Sequence, residues 1–176
     1  MLRDYVISRP SHSIYTVHQH VYALVGNTPR PLFLPMKDVV VVRTVADLSA
    51  QAIAVRDIPT VVDGIEVKVL LRASVETKAK GRRTYAKGNE KVFRSEWLDR
   101  RAVAAGLRLT SEPEIHGSRE YIDKLPFGWW MDATVFTFTA EVTDAELFHQ
   151  GVANGVGRTG KAFGFSMMVF NLVGEE

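Results

Sequence analysis

Tyr15 and His18 stand three residues apart in a segment, Ile14–Val25, whose Ile14, Val17, Val21 and Leu24 recur at helical spacing. At about 100° per residue the two side chains lie about 60° apart, on one edge of the buried stripe. Imidazole is the side chain that titrates nearest neutral pH, so His18 is a candidate general acid or base, with Tyr15 beside it. A packing role is the commoner reading of a helical histidine, and an exposed Tyr/His pair beside a basic surface raises the weight of chemistry. His20 falls on the opposite edge, and no neighbouring carboxylate joins either histidine. A regular helix therefore does not let the two chelate one metal, and neither metal nor cofactor is expected. His12, His116 and His149 have no comparable neighbourhood.

A second group of residues suits a polyanion. Gly155, Gly157, Gly160 and Gly164 fall within ten residues, with Arg158 and Lys161 among them. A glycine-rich loop presents unshielded N–H groups, and with added positive charge it suits phosphate. Gly155, Gly160 and Lys161 match the start of a nucleotide-binding P-loop, but Ala162 stands where that motif needs Ser or Thr for magnesium. The expected order here is helix, glycine loop, strand, the reverse of a P-loop, so that reading is rejected. A turn that serves packing alone is the plainer alternative. The segment Lys78–Lys91 carries six basic residues against one acid, including Lys78, Lys80, Arg82 and Arg83, with Tyr85 among them. Its glycines mark it as a loop or hairpin tip. Ile65–Val75 alternates apolar residues with Glu66, Lys68, Arg72 and Ser74, so its open face is polar and partly basic. Glycine loop, basic arm and strand face together would attract a phosphate backbone. The bland alternative for the arm is a solvated charged loop.

The chain of 176 residues is 46% hydrophobic, enough for a proper core, and its net charge of +2 says less than where the charges lie. Cysteine is absent, which removes disulfides and thiolate metal sites. No apolar run is long enough to span a membrane, and MLRDYVISRP has no apolar signal stretch. A cytoplasmic protein is expected.

The elements that must position these residues follow in order. Tyr5–Ile7 is a short strand, and Ser11 or Ser13 caps the helix, which Gly26-Asn27 stops. Val39–Val45 reads as a strand, Ala46–Ala54 as a weak helix, and Ile65–Val75 as the clearest strand. Ser95 is expected to cap Glu96–Ala105, with Trp97, Leu98, Ala102 and Ala105 inward and Gly106 at its end. Leu107–Leu109 begins a strand, Gly117–Asp132 reads as irregular, and Ala133–Val142 is a strand. A capping box at Thr143–Glu146 opens the helix Asp144–Ala153, and Phe163–Leu172, apolar on both faces, suits a central strand. Each half approaches βαββαβ, so the expected fold is α+β, two tandem ferredoxin-like (RRM-like) domains with antiparallel sheets. The expected division is 1–77, carrying the catalytic helix, and 78–176, carrying the basic hairpin and glycine loop. The first strand of the second domain is then drawn from the basic hairpin region.

These residues resemble, in order, the motifs of the CasE family of CRISPR repeat-processing endoribonucleases in the RAMP superfamily. Tyr15-Thr-Val-His18 resembles its Y-x-x-H. Glu96-Trp97-Leu98-Asp99-Arg100-Arg101, reaching Gly106-Leu107, resembles its W-L-x-R segment and following glycine. Val142-Thr143-Asp144 with Phe148 resembles V-T-D-x-x-x-F. Gly155-Val156-Gly157-Arg158 and Lys161-Ala162-Phe163-Gly164-Phe165 resemble its G-I-G-R-x-K-A-F-G-x-G, with one extra residue at Thr159-Gly160 and Ser166 in place of a glycine. The resemblance implies metal-independent cleavage of a repeat stem-loop RNA by 2′-OH attack, leaving a 2′,3′-cyclic phosphate. It implies that the product crRNA is kept and that the chain joins other subunits of a Cascade-type complex. His18 and Tyr15 take the catalytic positions, His18 as acid or base. Arg158, Lys161, Gly155 and Gly157 take the RNA-binding loop. The alternative is an inactive RNA-binding subunit of a CRISPR complex.

Overall fold

Helix α1 spans Ile14–Val25, where the apolar spacing requires it. The Thr16 N–H donates to the Ser13 hydroxyl at 3.1 Å, occupying one of the donors a helix start leaves unpaired. Of the two candidate caps, Ser13 is therefore the one used. The computed structural model describes residues 1–26, 29–79, 82–85 and 90–174. Strands β1 (Arg3–Ser8), β2 (Leu32–Pro35), β3 (Val39–Thr44) and β4 (Ala54–Asp57) surround α1 in the chain. They form an antiparallel sheet in the order β2-β3-β1-β4. Val17 and Val21 of α1 pack with Tyr5, Ile7, Phe33, Val40 and Val42 of that sheet. The expected helix at Ala46–Ala54 is a run of turns. Ala46 N–H donates to the Thr44 hydroxyl at 3.1 Å, and Ser49 N–H to the Asp47 carboxylate at 2.9 Å. Short polar side chains that bond their own backbone in this way compete with helix.

The second sheet is built on β5 (Glu66–Ala73). After it come the hairpin β6 (Glu76–Ala79) and β7 (Arg82–Tyr85), helix α2 (Lys91–Ala104), β8 (Leu107–Leu109) and β9 (Glu114–His116). A second hairpin, β10 (Arg119–Ile122) and β11 (Trp129–Asp132), leads to β12 (Thr134–Val142), helix α3 (Ala145–Asn154), a single 3₁₀ turn Lys161–Phe163, and β13 (Met168–Leu172). The sheet order is β13-β5-β12-β8, with β9 also pairing with β12, and the pairs are antiparallel. Both sheets thus have the ferredoxin-like order, and the α+β class read from the sequence is the one adopted. Val67, Val69, Leu71, Leu98, Phe136, Phe138, Phe148 and Phe170 fill the second core, with Trp97 stacked on Phe136 at 5.7 Å between ring centres.

Several expectations need correction. The clearest strand opens the second sheet instead of closing the first, which ends with the short β4. Among the described residues the basic segment forms the separate two-stranded hairpin β6–β7 and no strand of the two larger sheets. A division at residue 77 would separate β5 from its partners β12 and β13. We therefore place the boundary between units in the segment 58–65. Helix α2 starts before Ser95, because Phe93 packs on the core and Arg94 turns inward. The α3 cap is Asp144 rather than Thr143, its carboxylate accepting from the Leu147 N–H at 2.9 Å. The stretch read as irregular holds β10 and β11, whose Ile122 and Met131 pack with Ile14 and Phe165.

Strand β13 lies at the edge of its sheet, and its two apolar faces have different causes. Met168 and Phe170 face the second core, whereas Val169, with Leu70 and Met167, packs with Leu32, Leu34 and Val41 of the first unit. At this junction Arg43 of β3 is 2% exposed. Its guanidinium donates to both Asp4 carboxylate oxygens at 2.7 Å, and to the carbonyls of Val152 and Met168 at 2.9 and 2.8 Å. A buried charge is tolerated when it is paired and hydrogen-bonded in this way. Among the described residues no helix is long and apolar enough to cross a membrane.

Candidate active site

The edge of α1 that carries Tyr15 and His18 faces the second unit. The His18 ring lies 5.4 Å from that of Phe163, 4.4 Å from Tyr22 and 6.0 Å from Tyr15. Phe163 closes the 3₁₀ turn inside the glycine loop, so the fold brings the helix edge and the loop into contact. Tyr22 shares the edge because it follows His18 by one helical turn, a spacing visible in the sequence. Phe163 packs in turn against Trp129 at 5.6 Å. Trp129 and the β10–β11 hairpin were not tied to the site by any short motif, because only long-range packing brings them there.

His18 is half-buried, and burial holds its pKa below the ordinary imidazole value. The positive charges of Lys124 and Arg30 push the same way, while the Ala162 backbone pulls against them. The imidazole is therefore mainly neutral at pH 7 and able to accept a proton. Its Nδ1 and the Tyr22 hydroxyl are buried without a hydrogen-bond partner among the described residues. Buried polar atoms are normally paired, so these two atoms stand out on this edge of the helix. His20 does not take part in this cluster, and His149 instead bonds the Val61 backbone. Among the described residues no three His, Asp or Glu side chains converge as metal ligands.

The glycine loop is held in conformations that a side chain resists. At Gly160, φ is 76° and an added Cβ would lie 2.5 Å from the Phe165 ring and 2.9 Å from Met131. Ser166 adopts φ 88°, a region that costs an L-residue about 1–2 kcal/mol. Two bonds hold it there: Val156 N–H donates to its carbonyl at 2.8 Å, and its own N–H donates to the Arg72 carbonyl at 2.6 Å. The N–H groups of Gly155, Phe163 and Phe165 also donate within the protein.

The candidate cations divide by surroundings. Arg158 is exposed and makes no ion pair among the described residues. Lys161 donates to the Asn154 carbonyl at 2.5 Å, complementing the negative end of α3. Burial, then Arg30, pushes its pKa down. Arg72 is buried, donates to Glu120 at 2.7 Å and lies 4.5 Å over the Phe165 ring. It supports the loop from below and is not on an open face as its strand alternation suggested. Lys68 is exposed on β5, beside Thr137 and Asn171. Lys78, Arg82 and Arg83 lie on the β6–β7 hairpin, with Lys78 paired opposite Arg83 in register. Lys80 lies outside the described residues.

A tandem ferredoxin-like protein with a tyrosine–histidine helix edge seated on a glycine loop is the class that fold and site define. The family model described as CRISPR associated protein matches residues 47–171, and the chain belongs to that family. No curated protein matches it in sequence. Among solved structures, it is similar to a CRISPR endoribonuclease Cse3 bound to a 19-nucleotide RNA, with TM-score 0.80 and 21% identity over 97% of this chain and 100% of that one. It is similar to the CRISPR-associated protein Cas6e from Escherichia coli str. K-12, with TM-score 0.74 and 19% identity over 97% and 98%. It is also similar to a chain of a CRISPR RNA-guided surveillance complex, with TM-score 0.74 and 17% identity over 98% and 100%. What these proteins share with this chain at such identities is the fold.

Proposed function

We propose that this protein is a CRISPR RNA-processing endoribonuclease that binds a repeat stem-loop and cuts it without a metal ion. The observation that carries the reading is the seating of His18 between Tyr22 and Phe163 where α1 meets the glycine loop, with its Nδ1 lacking a hydrogen-bond partner among the described residues. The fold shared with a Cse3 that is bound to RNA supports it. In the reaction, a ribose 2′-oxygen attacks the adjacent phosphorus and the bond to the 5′-oxygen breaks. A 2′,3′-cyclic phosphate and a 5′-hydroxyl remain. Neutral His18 takes the 2′-hydroxyl proton, and the leaving oxygen gains a proton from water. Tyr15 positions the phosphate or the imidazole. Arg158, Lys161, the loop shaped by Gly155 and Gly157, and the basic hairpin hold the RNA backbone, with Lys68 and Arg72 flanking or supporting the path. The product stays bound, and the chain is a subunit of a Cascade-type complex, a role supported by the likeness to a chain of a surveillance complex.

The test is incubation with a labelled CRISPR repeat stem-loop in EDTA. A single cut leaving a cyclic phosphate is expected. Tight binding with no cut would leave the inactive RNA-binding reading in its place.

A further inference from the structure

The β10–β11 hairpin displays apolar surface that the core does not use. Its inner residues Ile122 and Met131 are buried against Ile14 and Phe165. On the other face, Tyr121 and Trp130 are cross-strand partners with ring centres 5.2 Å apart, and they are 45% and 53% exposed. The Arg119 guanidinium lies 5.7 Å over the Trp130 ring. The connecting loop adds Leu125 and Phe127, 87% and 81% exposed.

The charges of this hairpin are sorted by direction. Glu120 is paired with Arg72 at 2.7 Å, and Asp132 with Arg94 at 2.7 Å. Asp123 accepts from the Ser13 hydroxyl at 2.6 Å, which fastens the loop to the start of α1. The acids are thus engaged inward, while Arg119 and Lys124 make no ion pair among the described residues. Lys124 lies close enough for its charge to act on His18, and Trp129 reaches the same site through Phe163. Exposed aromatic rings with cations beside them stack bases and attract phosphates, whatever the base sequence.

We infer that the outer face of the β10–β11 hairpin, Tyr121, Trp130 and Arg119 with Phe127 at its tip, is a stacking platform for unpaired nucleotides of the RNA next to the scissile phosphate. This rests on the RNA reading above. The platform holds the single strand that flanks the stem and leads it to His18. It acts in positioning and not in proton transfer.

The experiment compares two labelled RNAs by fluorescence anisotropy. One is a CRISPR repeat stem-loop with its single-stranded flanks, carrying 2′-deoxy sugars in the flanks and in the base pair that closes the stem so that it is not cut. The other is the same stem-loop trimmed to its paired residues. Each stacked base is worth roughly 5- to 150-fold in affinity. Trp130→Ala is expected to weaken the flanked RNA by a factor in that range and leave the trimmed RNA unchanged. Phe127→Ala, at a fully solvated tip, gives the same selective loss without touching the fold, and melting temperatures check both variants. Equal losses on the two RNAs, or no loss on either, overturn the platform; the latter leaves the patch to a protein partner. If the wild type binds neither RNA, the RNA reading fails and the platform with it.

Discussion

Two basic groups sit where the units of this protein meet, and they are treated oppositely. Arg43 is buried with a partner at each guanidinium nitrogen: both oxygens of Asp4 and the carbonyls of Val152 and Met168. His18 is half-buried in an aromatic setting, and its Nδ1 has no partner among the described residues. The Tyr22 hydroxyl beside it, the Thr159 hydroxyl in the glycine loop and one Arg72 terminal nitrogen are also buried without hydrogen-bond partners among the described residues. Ser166 beside them holds a positive φ. The Arg43 junction is therefore built for stability and orientation. The His18 junction leaves buried polar atoms without hydrogen-bond partners among the described residues, which is what the proposed RNA site would use.

The largest effect should come from breaking the satisfied side. Arg43→Ala leaves Asp4 as an unpaired buried charge and frees two carbonyls, and removing one partner of a buried pair costs about 3–5 kcal/mol. Chemical denaturation should show that loss, and a variant within 1 kcal/mol of wild type would mean that the junction does not hold the units together. Next is Gly160→Ala in the strained side. The new methyl meets the Phe165 ring and Met131 at a positive φ, so a loss of roughly 2 kcal/mol is expected in the same titration.

Ser166→Gly sharpens the contrast in the opposite direction. Relief of the positive φ should raise stability by up to about 1 kcal/mol, because glycine's added freedom in the unfolded chain offsets part of the gain. A clear destabilisation would show that the serine side chain holds the loop.

The smallest effect concerns pH. The folded pKa of His18 lies below its unfolded value, with burial the leading cause. Between those values the unfolded chain binds more protons, so this contribution is complete above about pH 6.5 and is lost as the pH falls through the folded pKa. His18→Gln should flatten stability against pH in that window. Parallel curves for variant and wild type would show that His18 is not desolvated.

The contrast also explains what could be read without the fold. Helix α1 was legible to the residue, because the Ile14, Val17, Val21 stripe and the Ser13 cap are local signals. The Tyr15/His18 edge came with it. The place of β5 was not legible, because strand alternation says which face is buried and not which sheet receives it. No local signal marks Arg43 and Arg94 as buried, since their partners Asp4 and Asp132 are 39 and 38 residues away in the chain. The β10–β11 hairpin was missed for a related reason. Its strands are four residues each, and Ile122 and Met131 are buried only by contacts with α1 and the loop before β13.

The central claim is that the unsatisfied junction is the one that cuts RNA, and single-turnover cleavage of a CRISPR repeat stem-loop in EDTA tests it most directly. Wild type, His18→Ala and His20→Ala are compared, with RNA affinity measured in parallel. A general acid or base contributes about 10²–10⁴-fold in rate. The account predicts a loss of that order for His18→Ala with affinity nearly intact, and near-normal cleavage by His20→Ala. Cleavage that survives His18→Ala, or that is lost in His20→Ala instead, would contradict it.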